Sequence, residues 1–310
     1  VSESYEPGST FKPVTVASAL EEGVVKDGDT YVCKGFETVA DYKLKCHVFS
    51  TIGSHGSLTV EQALMNSCNP YMIHLALEMG NSRFAYYQSL FGFGKITGID
   101  LPGETTGIVY GDRMTTIDAA CNSFGQTINV NMMQMMAAYC SIINGGMLSQ
   151  PHIVKRIESA NGEVVKEYKA NLVRQTITAS TSKLLRRYLK NTVEEGTAKK
   201  AGVTGYSVAG KTGTAQKGDR KDNKWIISFI GHAPAENPKF AIYVVIDEPY
   251  GTTGTSGSSA DVLTLTHNIL EKLLPYMNVY KDASDEYEDT SSSPDELTVD
   301  GIPAGTASSN

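Results

Sequence analysis

The hydrophobic pattern of the 310-residue chain changes its period roughly two thirds of the way along. Before the change, apolar residues recur at the spacing of one helix face, and after it short β-type runs alternate with turn signals. Residues 5–22 are predicted to be a turn that leads into a helix, and the other predicted helices cover 59–79, 81–92, 130–143, 180–194 and 259–274. The predicted strands cover 206–210, 225–232 and 240–247, and 27–57 is predicted to be irregular. Helices followed by consecutive antiparallel strands and a closing helix predict an α+β fold.

The negative charge of the chain is confined to its C-terminal end. The formal net charge is −7, yet residues 281–310 alone hold one Lys and eight Asp or Glu, so the rest of the chain is balanced. Without a basic patch, no nucleic-acid partner is expected. The Ser-rich, acidic end predicts a globular domain over 1–278 and a disordered tail over 279–310. The sequence shows no signal peptide and no apolar run of membrane-spanning length.

The cysteines do not form a recognisable disulfide pattern. They are an odd number at irregular spacings: Cys33, Cys46, Cys68, Cys121 and Cys140. Cys33 and Cys46 lie in one polar stretch, where they would pair in an oxidising compartment or remain two free thiols. His47 and His55 follow closely and raise the idea of a zinc site. The Cys-x12-Cys-His-x7-His spacing fits no standard ligand pattern, which argues against zinc.

The first candidate chemical motif is Ser9-Thr-Phe-Lys12, at the start of the first predicted helix. A serine hydroxyl needs a base within hydrogen-bond reach, and residues three apart share one helix face. Pro13 is tolerated only near a helix start, which places Ser9 where the helix dipole favours negative charge. A desolvated Lys12 would act as the base. Alone the motif is weak, because Ser180-Thr-Ser-Lys183 repeats it at an ordinary helix start.

The second candidate is Ser67-Cys68-Asn69. A second hydroxyl can relay a proton between a lysine and a leaving group, and an adjacent amide can hold a substrate carbonyl or N–H. An ordinary helix-to-loop junction uses the same residue types, and Ser308-Ser-Asn310 repeats the pattern in the tail.

The third candidate is Lys211-Thr-Gly-Thr214. Glycines in a β-type run mark close backbone approach, so a peptide substrate could lie along this strand while Lys211 and the threonine hydroxyls bind a carboxylate. The segment Gly205-x4-Gly210-Lys211-Thr212 also matches the phosphate-binding P-loop pattern. A P-loop opens a helix, whereas a turn-rich polar loop is predicted here, which argues against nucleotide binding.

The three motifs in this order are those of penicillin-binding proteins and class A β-lactamases. Over roughly residues 5–275 the chain resembles a class B penicillin-binding protein. The segments that carry the resemblance are Tyr5–Pro13, Phe91–Gly94, Thr97–Glu104, Ser123–Gln126, Asn144–Gly146, Glu194–Ala198 and Ala209–Gln216. The region Thr30–Asn69 is most similar to division- or sporulation-type members from Gram-positive bacteria.

The resemblance implies a peptidoglycan D,D-transpeptidase. Ser9 would attack the penultimate D-Ala of a D-Ala-D-Ala stem peptide, Lys12 would be the base, and Ser67 would relay protons with Lys211. The implied substrate-binding residues are Asn69, Thr212, Gly213 and Thr214. The backbone N–H groups of Ser9 and Thr214 would form the oxyanion hole. β-Lactam antibiotics would trap Ser9 as an acyl-enzyme, and no metal or organic cofactor is implied.

The resemblance also implies a fold and a location. The fold is an antiparallel sheet flanked by helices plus an all-helical subdomain, as in penicillin-binding proteins and serine β-lactamases. The family's anchor helix, non-catalytic domain and first strands would precede Val1. We therefore expect a trimmed fragment of a protein that works at the extracytoplasmic face of the plasma membrane with a glycosyltransferase partner. His232 stands where the family has a small hydrophobic residue.

Three other interpretations share the motifs. A class A β-lactamase needs a Glu-x-x-x-Asn loop, which we do not predict between the second and third motifs. A β-lactam-sensing domain would bind without turnover, and a division or sporulation scaffold would keep the fold without the chemistry. Intact Ser9, Lys12, Asn69 and Lys211 argue against lost chemistry.

Overall fold

The structure is a computed structural model that describes residues 1–218, 224–249 and 258–283. Its helices are α1 Lys12–Glu22, α2 Val60–Met65, α3 Asn69–Met79, α4 Asn81–Leu90, α5 Thr116–Asn122, α6 Met132–Ile143, α7 Ala179–Glu194 and α8 Ala260–Tyr276. Its strands are β1 Thr30–Cys33, β2 Phe36–Val39, β3 Tyr42–Lys45, β4 Gly56–Thr59, β5 Met147–Gln150, β6 Arg156–Glu158, β7 Val164–Glu167, β8 Asn171–Gln175, β9 Ala209–Lys217, β10 Lys224–Ala233 and β11 Phe240–Asp247.

The main sheet is antiparallel, with the order β11-β10-β9 among the described strands. Successive side chains of a strand point to opposite faces. In β10, Ile227 and Phe229 belong to the core that contains Leu270 of α8, whereas Ile230 belongs to the core that contains the helices of the other face. The sheet therefore separates two hydrophobic cores, and β9 is an edge strand of the described part.

Helix α1 lies at the centre of the helical side of the molecule. Its residues from Lys12 to Ala19 are all buried, and Gly23 ends it in the left-handed conformation at φ +76°. The helix packs against α3, α6 and α7. Lys12 of the first motif thus begins a buried helix, and Ser9 lies in the turn just before it.

Segment 59–79 forms two helices rather than the single predicted one. The predicted N-cap at Thr59 is confirmed, because its hydroxyl and the side chain of Gln62 form a reciprocal capping box. The chain leaves helical geometry at Ser67, whose φ is +54°. Pro70 has no N–H with which to continue the first helix, so α3 starts afresh at Asn69. The second motif therefore occupies the joint between two helices.

The third motif lies in a strand that starts later and runs further than predicted. The sequence predicted a strand over 206–210 and a polar loop from Gly213 onwards, but β9 continues through Lys217. Gly213 pairs with Ser228 and Lys217 pairs with Lys224. Backbone pairing with β10 here overrides the polar composition of the segment.

Smaller differences occur elsewhere. Residues 27–57, predicted to be irregular, contain three short strands, β1 to β3. The sequence also missed α5 and the strands β5 to β8, and Pro275 lies inside α8 rather than after it. Short strands in which apolar and polar residues hardly alternate carry a weak sequence signal.

Residues 279–283 pack against the domain. Val279 is buried, and the Asp282 carboxylate accepts a hydrogen bond from the backbone N–H of Ser207 at 2.7 Å. The rest of the predicted tail, 284–310, lies outside the described residues, and the domain boundary at 278 stays a prediction. None of the helices in the described ranges has both the length and the apolar character needed to cross a membrane.

Candidate active site

Ser9 lies in a single 3-10 turn, Gly8–Phe11, that leads directly into α1. Gly8 has φ +56°, and its N–H donates to the carbonyl of Gly125 at 2.9 Å. A Cβ at Gly8 would come within 2.7 Å of the Thr214 carbonyl oxygen. The turn therefore needs a glycine for two reasons, a left-handed backbone and close contact with β9.

The turn is also fixed by hydroxyl groups. The Thr10 hydroxyl donates to the Pro7 carbonyl at 2.7 Å and lies 3.3 Å from the Tyr243 hydroxyl, to which the Tyr5 hydroxyl donates at 2.7 Å. These bonds join the chain start, the turn and β11. The Ser9 hydroxyl itself makes no hydrogen bond with the described residues, which leaves it available to an incoming group.

Lys12 is fully buried at the first position of α1. Its Nζ donates to the Ser67 carbonyl at 2.6 Å and to Asn69 Oδ1 at 2.7 Å, and it lies 3.0 Å from Ser67 Oγ. Burial lowers the pKa of Lys12 to about 8. A neutral amine has two N–H donors and one lone pair. The two acceptor oxygens occupy both donors, so the lone pair remains for a hydroxyl proton.

Lys211 approaches the same serine from β9. It is fully buried, and its Nζ donates to Ser67 Oγ at 3.0 Å and to the Thr212 carbonyl at 3.2 Å. Burial, and then repulsion from Lys12, holds the pKa of Lys211 well below its usual value. Neither lysine has a carboxylate partner among the described residues. The hydroxyl of Ser67 thus stands between two buried amines.

At Gly213, strand β9 closely approaches the 3-10 turn Gly8–Phe11, which carries Ser9 and is called the serine turn below. A Cβ there would lie 2.4 Å from Ser228 Oγ, 2.8 Å from Thr10 Cγ2 and 3.0 Å from the Pro7 carbonyl oxygen. No side chain fits this space without moving the strand or the turn. Gly213 consequently sets the distance between the third motif and Ser9.

One cavity of about 410 Å³ opens over these groups. The predicted site residues that line it are Ser9, Ser67, Asn69, Thr212 and Thr214. Lys12 and Lys211 lie buried behind Ser67, and Gly213 supports the wall. The structure therefore brings all eight predicted site residues to one place.

Six further residues line the cavity, and the motifs did not single them out. They are His47, Phe124, Gln126, Thr197, Trp225 and Ser259. Phe124, Gln126 and Thr197 lie in segments that carried the family resemblance, so a signal for them was present. Thr197 Oγ1 lies 3.4 Å from Thr212 Oγ1. Nothing in the local sequence marks His47, Trp225 or Ser259 as residues that line this cavity.

The competing patterns are not assembled into this site. Ser180 and Lys183 are exposed at the start of α7, as expected for a helix start, and Ser308–Asn310 lies outside the described residues. The P-loop pattern ends inside β9, with no helix following. The sequence does contain Glu-x-x-x-Asn at Glu167–Asn171, contrary to our expectation. Both residues are exposed on β7 and β8, and neither lines the cavity.

His232 has a structural explanation. It is buried, with Nε2 3.1 Å from the Ala235 carbonyl and Nδ1 2.9 Å from the Tyr139 hydroxyl. A carbonyl only accepts, so Nε2 carries the proton and Nδ1 accepts from Tyr139. Burial lowers the pKa of His232 to about 3. The imidazole is therefore a neutral link between α6 and β10.

The family profile described as "Penicillin binding protein transpeptidase domain" matches residues 1–271. Stage V sporulation protein D of Bacillus subtilis (strain 168) is 40% identical over 282 residues, which are 89% of this chain and 43% of that protein. Peptidoglycan D,D-transpeptidase FtsI of Escherichia coli (strain K12) is 32% identical over 288 residues, 91% of this chain and 46% of that protein. The chain thus spans less than half the length of these curated relatives.

Solved structures are similar over nearly the whole chain. Penicillin binding protein 3 from Mycobacterium tuberculosis, complexed with ampicillin, superposes with a TM-score of 0.82 at 29% identity, covering 92% of this chain and 65% of that chain. Its ligand-free form gives a TM-score of 0.81 at 28% identity, with 92% and 66% coverage.

Proposed function

Because the chain belongs to the penicillin binding protein transpeptidase domain family, we propose that it is a serine D,D-transpeptidase that cross-links peptidoglycan stem peptides through Ser9. The observation that carries the proposal is the position of Ser67. Its hydroxyl lies 3.0 Å from both buried lysine amines, and Ser9 opens into the same cavity. The predicted α+β penicillin-binding fold is confirmed by the solved relatives.

In the acylation step, Ser9 Oγ attacks the carbonyl carbon of the penultimate D-Ala. The hydroxyl proton passes to the lone pair of Lys12, which is a base with a pKa of about 8 because it is buried. A bond from Oγ to carbon forms, and the bond from carbon to the nitrogen of the terminal D-Ala breaks. The leaving amine takes up a proton through Ser67, whose hydroxyl contacts both lysines.

The negative oxygen of the tetrahedral intermediate needs donors in fixed positions. The backbone N–H groups of Ser9 and Thr214 are suited to this role because Gly8 and Gly213 let the turn and the strand approach closely. One donor of an oxyanion hole is worth about 3–4 kcal/mol in the transition state. The amine of a second stem peptide then attacks the acyl carbon, and Ser9 recovers its proton.

The residues in and around the same cavity would also determine which substrate binds. The hydroxyls of Thr212 and Thr214 and the Lys211 amine would bind the terminal carboxylate of D-Ala-D-Ala. The Asn69 amide would hold the peptide backbone, with its Oδ1 already accepting from Lys12 at 2.7 Å. A β-lactam has a carboxylate and an amide carbonyl of the same kind, and the ampicillin complex of a relative supports β-lactam binding.

Membership of the family supports a proposal for the location and the partner. We infer that the domain works at the extracytoplasmic face of the plasma membrane, where peptidoglycan is assembled, beside a glycosyltransferase that supplies glycan strands. The relatives named for sporulation and for D,D-transpeptidase activity support a role in peptidoglycan synthesis, with sporulation as one setting.

Intact-mass spectrometry after incubation with benzylpenicillin tests the proposed nucleophile. We expect a stable one-to-one adduct on the parent chain and none on Ser9→Ala. The matched control is Ser180→Ala, which removes the serine of the repeated Ser-x-x-Lys pattern and should leave the adduct unchanged. The absence of an adduct, with the drug intact, would favour a scaffold. An adduct that disappears while the drug is consumed would favour a β-lactamase.

A second measurement separates a transpeptidase from a β-lactam sensor, since both form stable adducts. The parent chain should release D-Ala from a D-Ala-D-Ala peptide when an amino-acid acceptor is supplied, and join the acceptor to the peptide. Stable acylation by the drug without any release of D-Ala would support the sensor.

A further inference from the structure

Four side chains that are far apart in sequence converge beside the second motif. Cys33 ends β1, Cys46 follows β3, His55 precedes β4, and Cys68 is the N-cap of α3. Their sulfur and nitrogen atoms all lie within 4.8 Å of one another. Cys33, Cys46 and Cys68 are 1%, 3% and 0% exposed, and His55 is half-buried.

Two of the separations are close to those between ligands of one four-coordinate ion. The Nδ1 atom of His55 lies 3.5 Å from Cys46 Sγ and 3.9 Å from Cys33 Sγ. Tetrahedral zinc with bonds of about 2.3 Å to sulfur and about 2.0 Å to nitrogen places neighbouring ligand atoms roughly 3.5–3.8 Å apart. Three thiols and one imidazole are also a common donor set of structural zinc sites.

The surrounding backbone holds the donors in place. The N–H of Gly35 points at Cys33 Sγ at 3.4 Å, and the N–H of Cys46 donates to the Gly35 carbonyl at 2.8 Å. Gly35 has φ +86°, and a Cβ there would lie 2.0 Å from the Gly53 carbonyl oxygen. The turn after Cys33 thus packs against the segment that leads to His55, and its amide is placed to stabilise a thiolate.

We propose that Cys33, Cys46, His55 and Cys68 bind one zinc ion. The sequence spacing argued against zinc because it considered His47 and omitted Cys68. In the structure His47 lines the active-site cavity, and the fourth ligand comes from the second motif instead. The five cysteines are all free thiols, so no disulfide competes for Cys33 or Cys46 in this state.

The site would act as a positioning device for the second motif. Cys68 lies between Ser67 and Asn69, and the Asn69 amide also donates to the Lys45 carbonyl at 3.4 Å. The ion would tie this joint to the segment 27–57, whose strands β1 to β3 have only four residues each. The effect on acylation rests on the proposed function, whereas metal binding does not.

Metal analysis of the reduced, purified chain tests the proposal directly. We expect close to one zinc per chain, and cobalt(II) added to metal-free protein should give the intense visible bands of tetrahedral thiolate coordination. Cys33→Ser and His55→Gln should each weaken zinc binding by at least about 10–100-fold, the loss typical even for outer-shell partners. The matched controls Cys121→Ser and Cys140→Ser remove thiols outside the cluster and should keep the metal.

Three results would overturn the proposal: no zinc after reconstitution, zinc content unchanged in both ligand variants, or, in chain purified without reductant, a mass lower by two hydrogens that maps to a Cys33–Cys46 disulfide. The cobalt spectrum of the parent chain decides the matter even where a variant fails to fold. A chain that binds no zinc on reconstitution but still forms the Ser9 adduct would refute the zinc site and leave the proposed function intact. A zinc-loaded chain that forms no adduct would support the zinc site and argue against the proposed function.

Discussion

At the scale of single residues, the site is defined by two buried amines that share one hydroxyl. Two ammonium groups at this depth, with no carboxylate partner among the described residues, repel each other and lose hydration. The lower-energy state has at least one neutral lysine. The site therefore contains a base without needing a histidine or an acidic residue.

The acylation rate should follow the protonation of Lys12. The amine accepts a proton only when neutral, so the rate constant should rise with pH and level off above the pKa of about 8 that burial gives Lys12. Stopped-flow acylation with a fluorescent penicillin, from about pH 6 to about pH 10, measures this profile. Lys12→Arg, which stays charged, should be about 10²–10⁴-fold slower. A flat profile, or an active Lys12→Arg variant, would contradict the assignment.

At the scale of elements, the site depends on where helices and strands stop. The joint between α2 and α3 places Ser67, and the extension of β9 places Thr214 beside the serine turn. Gly213 is the contact point between that turn and the strand. A small displacement of β9 would move the proposed oxyanion donor at Thr214 without moving Ser9, the proposed nucleophile.

Gly213→Ala should slow acylation while the chain still folds. The added Cβ would meet Thr10 and Ser228 at less than 3 Å, which pushes β9 away from Ser9. A misplacement of about 1 Å at a catalytic group can cost about 10²-fold in rate. Gly162→Ala is the control for an added methyl group that meets no neighbour, although its φ of +86° in the hairpin between β6 and β7 adds local backbone strain. Equal acylation rates in both variants, with similar thermal unfolding, would show that the close approach is not needed.

Local patterns and long-range packing contributed differently to what the sequence could predict. The motif residues were found because their spacing within a few positions carries the chemistry. His47 and Trp225 reach the cavity only through the fold, as does the meeting of Cys33 with Cys68, and no local pattern marks such contacts. The break at Ser67 was missed because an apolar helical period continues across it, and β9 was cut short because its polar residues resemble a loop.

At the scale of the whole molecule, the sheet divides two cores, and His232 is a polar link beside one of them. Its imidazole connects β10 to Tyr139 of α6 through a buried hydrogen bond of 2.9 Å. A charged imidazole in this place would lose its hydration and its role as acceptor. The fold therefore depends on the neutral form.

The stability of the chain should fall as the pH is lowered below about 6.5. Burial lowers the pKa of His232 to about 3 in the native state, so between these values the unfolded chain binds a proton that the native chain does not. The resulting slope from this residue is at most about 1.4 kcal/mol per pH unit. Urea unfolding at about pH 5 and about pH 7 measures it.

His232→Gln should be less stable at neutral pH and should show a smaller difference between the two conditions. The exposed His152→Gln is the matched control and should follow the parent chain. An unchanged pH dependence in His232→Gln would assign the acid sensitivity to other groups.

The lack of a carboxylate partner for Lys12 and Lys211 among the described residues has a thermodynamic consequence for anything that enters the cavity. A ligand carboxylate supplies the missing counter-charge and makes the ammonium form of Lys211 more favourable. Binding should therefore draw protons from the buffer near neutral pH. Titration calorimetry in two buffers with different heats of ionisation would register that uptake as a difference in apparent binding enthalpy. An analogue in which an uncharged amide replaces the carboxylate should cause much less proton uptake on binding.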